Sequence, residues 1–407
     1  MGTEQSPKRF EYIVVGCGGI GSGTVYWLSK KAGKDVLGLE QFKLGHDNGG
    51  SQDHSRIIRL MYNDERYTKL TPHTYKAWET VEEESGVQLV WKTGSLDITQ
   101  KGNPRAHILE EYADAMSKQN IPYTRMTAAQ VNRKFPQWTL PDDHIALYQP
   151  DGGLVDAANG NSVHIQLARA NGATVIDNCP VLNIKPVNDN TTLVYTPEGV
   201  FSCRRVIITA GAWANHVLGQ VGINVPLTVT QEQVTYFATP HVKKFTKKNF
   251  PVFIYHDARL DVYGLPIHGN SGSKLGIDCG GNPVTPETRT FTPDLAREKF
   301  TSDFFKKYVP EAAGPVMLTK TCLYAVTHDR HFVIDDLGLK GMPSIILCMG
   351  AGHAYKFASL LGKILSEMAV YGKTQYPIDG FSFSRDAIQN LKTPLAFNIT
   401  YRPDSKL

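Results

Sequence analysis

EYIVVGCGGIGSG, residues 11–23, decides the reading of this chain. An apolar run with β character ends in Gly16-x-Gly18-x-x-Gly21, and a helix-like stretch, TVYWLSKK, follows at once. A second apolar run, VLGLE, closes on Glu40. Gly16 permits the tight turn, Gly18 lets a pyrophosphate approach the backbone, and Gly21 lets helix and strand pack closely. The helix N-terminus offers unpaired N–H groups to phosphate, and Glu40 offers its carboxylate to ribose hydroxyls. A glycine turn alone is common between strands and helices. With the flanking strand, the helix and the acid, the unit spanning 10–42 predicts a βαβ fold that binds an adenine dinucleotide.

Outward from that unit, the 407 residues suffice for two domains at ~150 residues each. Hydrophobic residues make up 41% and charged residues 20%, an ordinary globular balance. No apolar run reaches the ~20 residues that cross a bilayer. A formal charge of +4 without a basic, aromatic-interleaved stripe argues against nucleic acid. The six cysteines form no CxxC pair or His/Cys metal spacing and read as reduced intracellular thiols. Ser405-Lys406-Leu407 matches the tripeptide read by the peroxisomal import receptor, so the expected location is peroxisomal.

Residues 1–9 read as a disordered lead. Helices are expected over 66–87, with Pro72 near its start, and over 105–120, 127–135, 155–171 and 294–308. Strand-like runs occupy 88–98, 173–177, 181–184 and 192–196, and 136–150 is a Pro-rich stretch. CRRVIITAGAWAN (203–215) repeats the strand-to-small-residue turn. Residues 224–240 and 251–279 alternate apolar and polar, as in a larger antiparallel sheet. PSIILCMGAGHAYKFASLLGKILSEMAVYG (343–372) gives a third strand–glycine–helix junction.

Five stretches in order, VVGCGGIG, HSRIIRLMY (54–62), VIITAGAWAN, KTCLYAVTHDRHFVID (320–335) and GAGHAYKFASLLGKIL (350–365), make the chain resemble the sarcosine oxidase and L-pipecolate oxidase family. These are FAD-dependent amine oxidases of the D-amino-acid-oxidase-like group. The resemblance spans roughly 10–390. It implies a Rossmann-like, α/β FAD-binding domain (10–93, 150–216 and 322–390) and a second α+β substrate domain on a mainly antiparallel sheet (94–149 and 217–321). Residues 391–407 form a tail. It further implies a monomer that oxidises the C–N bond of a small secondary or N-methyl amino acid to an imine and reduces oxygen to hydrogen peroxide.

Site roles follow residue by residue. Cys322 matches the cysteine that tethers the flavin; outside the resemblance it reads as an inert buried thiol. Arg59 and Lys356 match a clamp on the substrate carboxylate, against the ordinary reading of surface salt bridges. Arg56 lies against the flavin or anchors phosphate or carbonyl groups. Lys274 matches the lysine that faces oxygen, and Tyr263 is either a pocket wall or a core tyrosine. Gly19, Ser55, Gly211, Trp213, Gly350 and Gly352 join Gly16, Gly18, Gly21 and Glu40 as cofactor contacts. Two departures concern substrate. Asp278 stands where many relatives have histidine and suits a cationic or hydroxylated group if it faces the pocket. GGSQDHS replaces a histidine-rich loop. A longer or basic substrate such as saccharopine therefore stays open, as do two rival readings, an NAD-linked dehydrogenase and a non-catalytic FAD-binding protein.

Overall fold

The computed structural model describes residues 7–341, 344–390 and 392–396. The Ser405-Lys406-Leu407 tripeptide lies outside the described residues. Tyr12–Val15 and Ile345–Met349 are buried at every position, as strands covered on both faces must be. They belong to a six-stranded sheet ordered Thr174–Ile176, Val36–Leu39, Tyr12–Val15, Arg205–Ile208, Ile345–Met349 and Val333–Asp336. Its neighbours pair in parallel except the last pair. Side chains alternate between two apolar cores, Val14, Ile207 and Ile346 on one face, Ile13, Ile208 and Leu347 on the other. On the first face the helices Gly19–Ala32 and Ala358–Tyr371 meet at glycines. A Cβ on Gly362 would lie 2.3 Å from the carbonyl carbon of Gly23.

A nine-stranded, mainly antiparallel sheet stands beside it. Its order runs Asn282–Pro283, Leu227–Phe237, Ser273–Asp278, Asp261–Leu265, Val252–His256, Ser95–Gln100, His144–Gln149, Thr124–Thr127, with Val316–Thr327 on the other edge of Leu227–Phe237. One face, with Phe237, Phe253, Val262 and Leu275, packs on Phe300, Phe304 and Phe305 of the helix Leu295–Tyr308. The opposite face is polar and carries the site described below. A three-stranded sheet of Ser55–Ile58, Gly153–Asp156 and Val90–Lys92 brings the SRIIR stretch between the two larger sheets.

Four local expectations change. Pro72 sits inside the helix Glu65–Ser85 rather than near its start. The carbonyl of Thr68, which the missing proline N–H leaves free, accepts the Thr71 hydroxyl at 3.2 Å. The helix expected from 155 begins at Ala157, because the Asp156 carboxylate accepts the Asn159 N–H at 2.9 Å and caps it. The Pro-rich 136–150 stretch contains the strand His144–Gln149. Lys8–Arg9, placed in the disordered lead, pairs in parallel with Phe201–Ser202.

Candidate active site

The first turn has the geometry its glycines require. Gly16 adopts φ +89°, and a Cβ there would lie 2.9 Å from both Ala210 Cα and the Thr209 carbonyl. A Cβ on Gly21 would sit 1.8 Å from the Gly16 carbonyl oxygen, so strand and helix touch there. Gly18 caps the helix with no side-chain hydrogen bond, and Ser51 Oγ accepts the Gly19 N–H at 2.9 Å. Glu40 Oε2 accepts the Cys17 N–H at 2.8 Å and Oε1 the Phe42 N–H at 3.1 Å. His46 Nε2 lies 3.4 Å from Glu40 Oε1. A cavity of about 870 Å³ runs along these groups, lined by Gly16, Gly18, Gly19 and Glu40 and by Gly211, Trp213 and Gly350. Phe42 stands edge-on between His46 and Trp213, with ring centroids at 4.8 and 5.3 Å. Ser55, Arg56, Cys322, Gly352 and Lys356 do not line the cavity. They belong to an adjoining polar cluster, reached through Gln52 and Asp53, which line the cavity and bond Thr321 O and Lys274.

Strand register explains that cluster. Across one face of the large sheet Asp97 stands opposite Ile254, Ile254 opposite Tyr263, Tyr263 opposite Gly276, and Gly276 opposite Val234. Two residues along each strand, the same face presents His256, Asp261, Asp278, Glu232 and Cys322 on one side and Lys274 with Tyr236 on the other. Residues scattered over more than two hundred positions thus share one surface. Gly276 leaves room for the Tyr263 ring, since a Cβ would meet it at 2.7 Å. Gly352, at φ +83°, does the same for Tyr324, with a Cβ at 2.6 Å.

Each charged candidate already has partners. Arg59 Nη1 donates to Asp97 Oδ1 at 3.0 Å, and its guanidinium lies 4.9 Å from the Tyr62 ring and 5.5 Å from the Tyr112 ring. His256 bridges Asp97 (2.9 Å) and Asp261 (3.0 Å), and Arg105 closes the string on Asp261 at 2.9 Å. Lys356 Nζ donates to Tyr62 Oη at 2.9 Å and to the His353 carbonyl at 2.8 Å, so it shares Tyr62 with Arg59. Neither cation sits in a surface salt bridge. Arg56 donates to the carbonyls of Ser55 (3.0 Å), Gly50 (3.2 Å) and Gln52, which makes it a carbonyl anchor. Lys274 Nζ donates to Asp53 Oδ2 at 2.6 Å and to Ser55 O at 2.7 Å. Tyr236 Oη donates to the same carboxylate at 2.7 Å. Asp53 holds φ +75°, a backbone shape that few residues other than glycine adopt. Asp278 is taken by Arg330, whose Nη2 reaches both its oxygens at 2.7 and 2.8 Å. That guanidinium balances the carboxylate charge.

Burial sets the protonation of these groups. It pulls Lys274 down to about 8 against the opposing pull of Asp53. It pulls Lys356 down to about 7, helped by Arg59 and Arg330 and opposed by Asp278. It pushes the Cys322 thiol up to about 11, with Arg56 acting the other way. His256 is the exception, because Asp261 and Asp97 outweigh burial and raise it to about 9.

Residues 11–368 match the family described as FAD dependent oxidoreductase. The chain belongs to that family. It is 30% identical to the monomeric sarcosine oxidase of Arthrobacter sp. (strain TE1826), over 95% of this chain and 99% of that one. It is 29% identical to the peroxisomal sarcosine oxidase of Homo sapiens, over 92% and 96% of the two chains. The solved structure of NikD, described as an unusual amino acid oxidase essential for nikkomycin biosynthesis, shares the fold at a TM-score of 0.81. It is 24% identical to the chain, covering 92% of this chain and 97% of its own.

FAD is the family's cofactor, and the cavity suits it. The volume falls in the ~300–1,000 Å³ range of ligand clefts. Glu40 keeps lone pairs that would accept from ribose hydroxyls, and the helix start at Gly18, which has no side-chain cap of its own, would face the phosphates. Asp53, Asp97, His256 and Arg330 carry the cluster and escaped the sequence reading. Asp97 sits in SLDITQ, where an acid in an alternating strand reads as solvent-facing. The positive φ of Arg330 (58°) belongs to a turn that no local pattern marks.

The His256 string makes a stability prediction. Its folded pKa, about 9, exceeds the ordinary 6.5. The stabilisation is therefore complete below about pH 6.5 and is lost as pH rises through about 9. Lys356 and Lys274, held below the ordinary lysine value, slope the other way. The thermal stability of the wild-type chain relative to His256→Asn should therefore fall across that window, and Asp97→Asn should shrink the difference. A His256→Asn chain with the same pH slope as wild type would contradict this.

Proposed function

We propose that the chain oxidises the C–N bond of a small secondary or N-methyl amino acid to an imine, reducing oxygen to hydrogen peroxide, with FAD tethered through Cys322. The observation that carries the reading is the partnering of Lys356. Arg59 is matched by Asp97 and Arg330 by Asp278, whereas Lys356 donates to a phenol and a carbonyl, both neutral. A substrate carboxylate supplies the missing counter-charge, and Arg59 on the same tyrosine adds a second contact. The relatives named as sarcosine oxidases support a small N-methyl amino acid.

FAD supplies the two-electron acceptor and the route for those electrons to oxygen. The chain's own residues bind and orient. Arg59 and Lys356 hold the carboxylate, which fixes the amine-bearing carbon at a set place relative to the sheet face. Tyr62, Tyr263 and Tyr324 wall the cluster and exclude water. Lys274, charged below about pH 8, provides a positive field where superoxide-like charge develops. The pairing of Asp278 with Arg330 removes the reason to prefer a basic substrate such as saccharopine.

Peroxide formation matched to oxygen uptake is expected with sarcosine or L-pipecolate in a panel that includes D-pipecolate, proline, saccharopine and N-methyl-lysine. No peroxide from any member would end the proposal. Acid precipitation of the wild-type enzyme should leave the yellow colour in the pellet, while Cys322→Ala should release it to the supernatant. Flavin released from both would rule out the tether. We extend the reading to peroxisomal import through Ser405-Lys406-Leu407. A fluorescent fusion bearing the chain should enter catalase-containing particles and disperse when these three residues are deleted; no change on deletion would refute it.

A further inference from the structure

We propose that Tyr62, His353, Tyr67 and His331 form a proton path between the buried amine of Lys356 and solvent, through which Lys356 gains its charge when a carboxylate enters the site. This rests on the carboxylate-binding reading above, gives Tyr62 a second task and assigns the side chains of His353, Tyr67 and His331, which that reading does not use.

The path is continuous. Lys356 Nζ lies 2.9 Å from Tyr62 Oη, which lies 3.4 Å from His353 Nδ1. The other side of that ring, Nε2, lies 3.4 Å from Tyr67 Oη, and Tyr67 Oη lies 3.1 Å from His331 Nδ1. His331 is the outermost member, its side chain 22% exposed. Its Nε2 lies 2.7 Å from Arg66 Nη2.

The chemistry of these atoms allows two self-consistent orientations. Arg66 only donates, so the resting His331 carries its proton on Nδ1, aimed at Tyr67. Tyr67 then donates to His353 Nε2, His353 Nδ1–H to Tyr62, and Tyr62 to Lys356, every donor pointing inward. In the reverse orientation Lys356 donates to Tyr62 and Tyr62 to His353 Nδ1. The Nε2–H then turns to the Arg330 carbonyl, 3.1 Å away. A relay needs such a pair of states. Both imidazoles are held neutral, His353 by burial, Lys356 and Arg330, and His331 by burial and Arg66.

The step balances. Arg66 leaves His331 Nε2 for Asp64, which its Nε already reaches at 3.0 Å. A solvent proton bonds to Nε2, and the Nδ1 proton moves to Tyr67. One O–H or N–H bond then breaks and the next forms at each link, until the lone pair of Lys356 Nζ takes the last proton. One positive charge enters with one carboxylate. The groups facing Lys356 are Tyr62, His353, Arg59, Arg330, Arg56 and Asp278. Three of them are arginines, which favour an uncharged amine until the anion arrives.

The test mixes the FAD-loaded enzyme at pH 8, weakly buffered with a pH indicator, against acetate or propionate, and follows flavin absorbance for binding. Wild type should take up close to one proton per site, in step with the flavin change. Tyr67→Phe and His331→Ala should reach the same uptake at least about tenfold more slowly. Rising imidazole should restore the rate in His331→Ala, which a merely structural histidine would not show. Uptake in Tyr67→Phe as fast as in wild type, or no proton uptake in wild type, would overturn the path. A flavin spectrum unmoved by any carboxylate would instead bring down the binding reading and the path with it.

Discussion

Lys274→Met is expected to slow the reaction of the reduced enzyme with oxygen by about 100-fold or more, on the scale of losing one preorganised charge in a dry site. Reduction by the amino acid should change far less. Lys274 is buried on the same sheet face as Cys322, and its pKa of about 8 makes the charge titratable in the working range. The wild-type oxygen rate should therefore fall as pH rises through about 8, and the methionine variant should be flat there. The fold should survive the change, because Asp53 keeps Tyr236 at 2.7 Å and Arg56 at 4.0 Å. Double-mixing stopped-flow separates the half-reactions, and equal slowing of both would remove Lys274 from the oxygen role.

Arg59→Gln should weaken substrate and acetate together, by roughly 30-fold to several thousand-fold on a loss of ~2–5 kcal/mol. It also strips the buried Asp97 of one of two cationic partners. Removing one member of a buried pair costs ~3–5 kcal/mol where nothing compensates, and protonated His256 reduces that here. Arg59→Gln with Asp97→Asn isolates the two effects. Recovered thermal stability with binding still lost is expected. Unchanged acetate affinity in the single variant would exclude Arg59 from the clamp.

The fold was largely legible because its signals are local. Glycine turns, continuously apolar strands and the alternation over 251–279 each follow from a few neighbouring residues. What escaped was long-range. Pro72 stands inside its helix with the Thr71 hydroxyl covering the carbonyl of Thr68. Arg59, Lys356, Lys274 and Cys322 stand in recognisable motifs, but nothing local marks Asp97, Asp53 and His256 as their neighbours. An acid on a strand says nothing of whether the facing sheet brings it a cation. Asp278 was legible as unusual, but its pairing with Arg330, some fifty positions later, was not. Register across nine strands made that cluster, and register is set by pairings that no short window contains.

In the proposed reaction, enzyme-bound FAD oxidises an amine anchored by its carboxylate. Anaerobic mixing with sarcosine or L-pipecolate, beside dimethylamine or piperidine as carboxylate-free partners, tests it most directly. The carboxylated amines should bleach the flavin with a rate that saturates, and their partners should leave it oxidised. Flavin that stays yellow with every carboxylated amine, or that bleaches equally with both kinds, would contradict it.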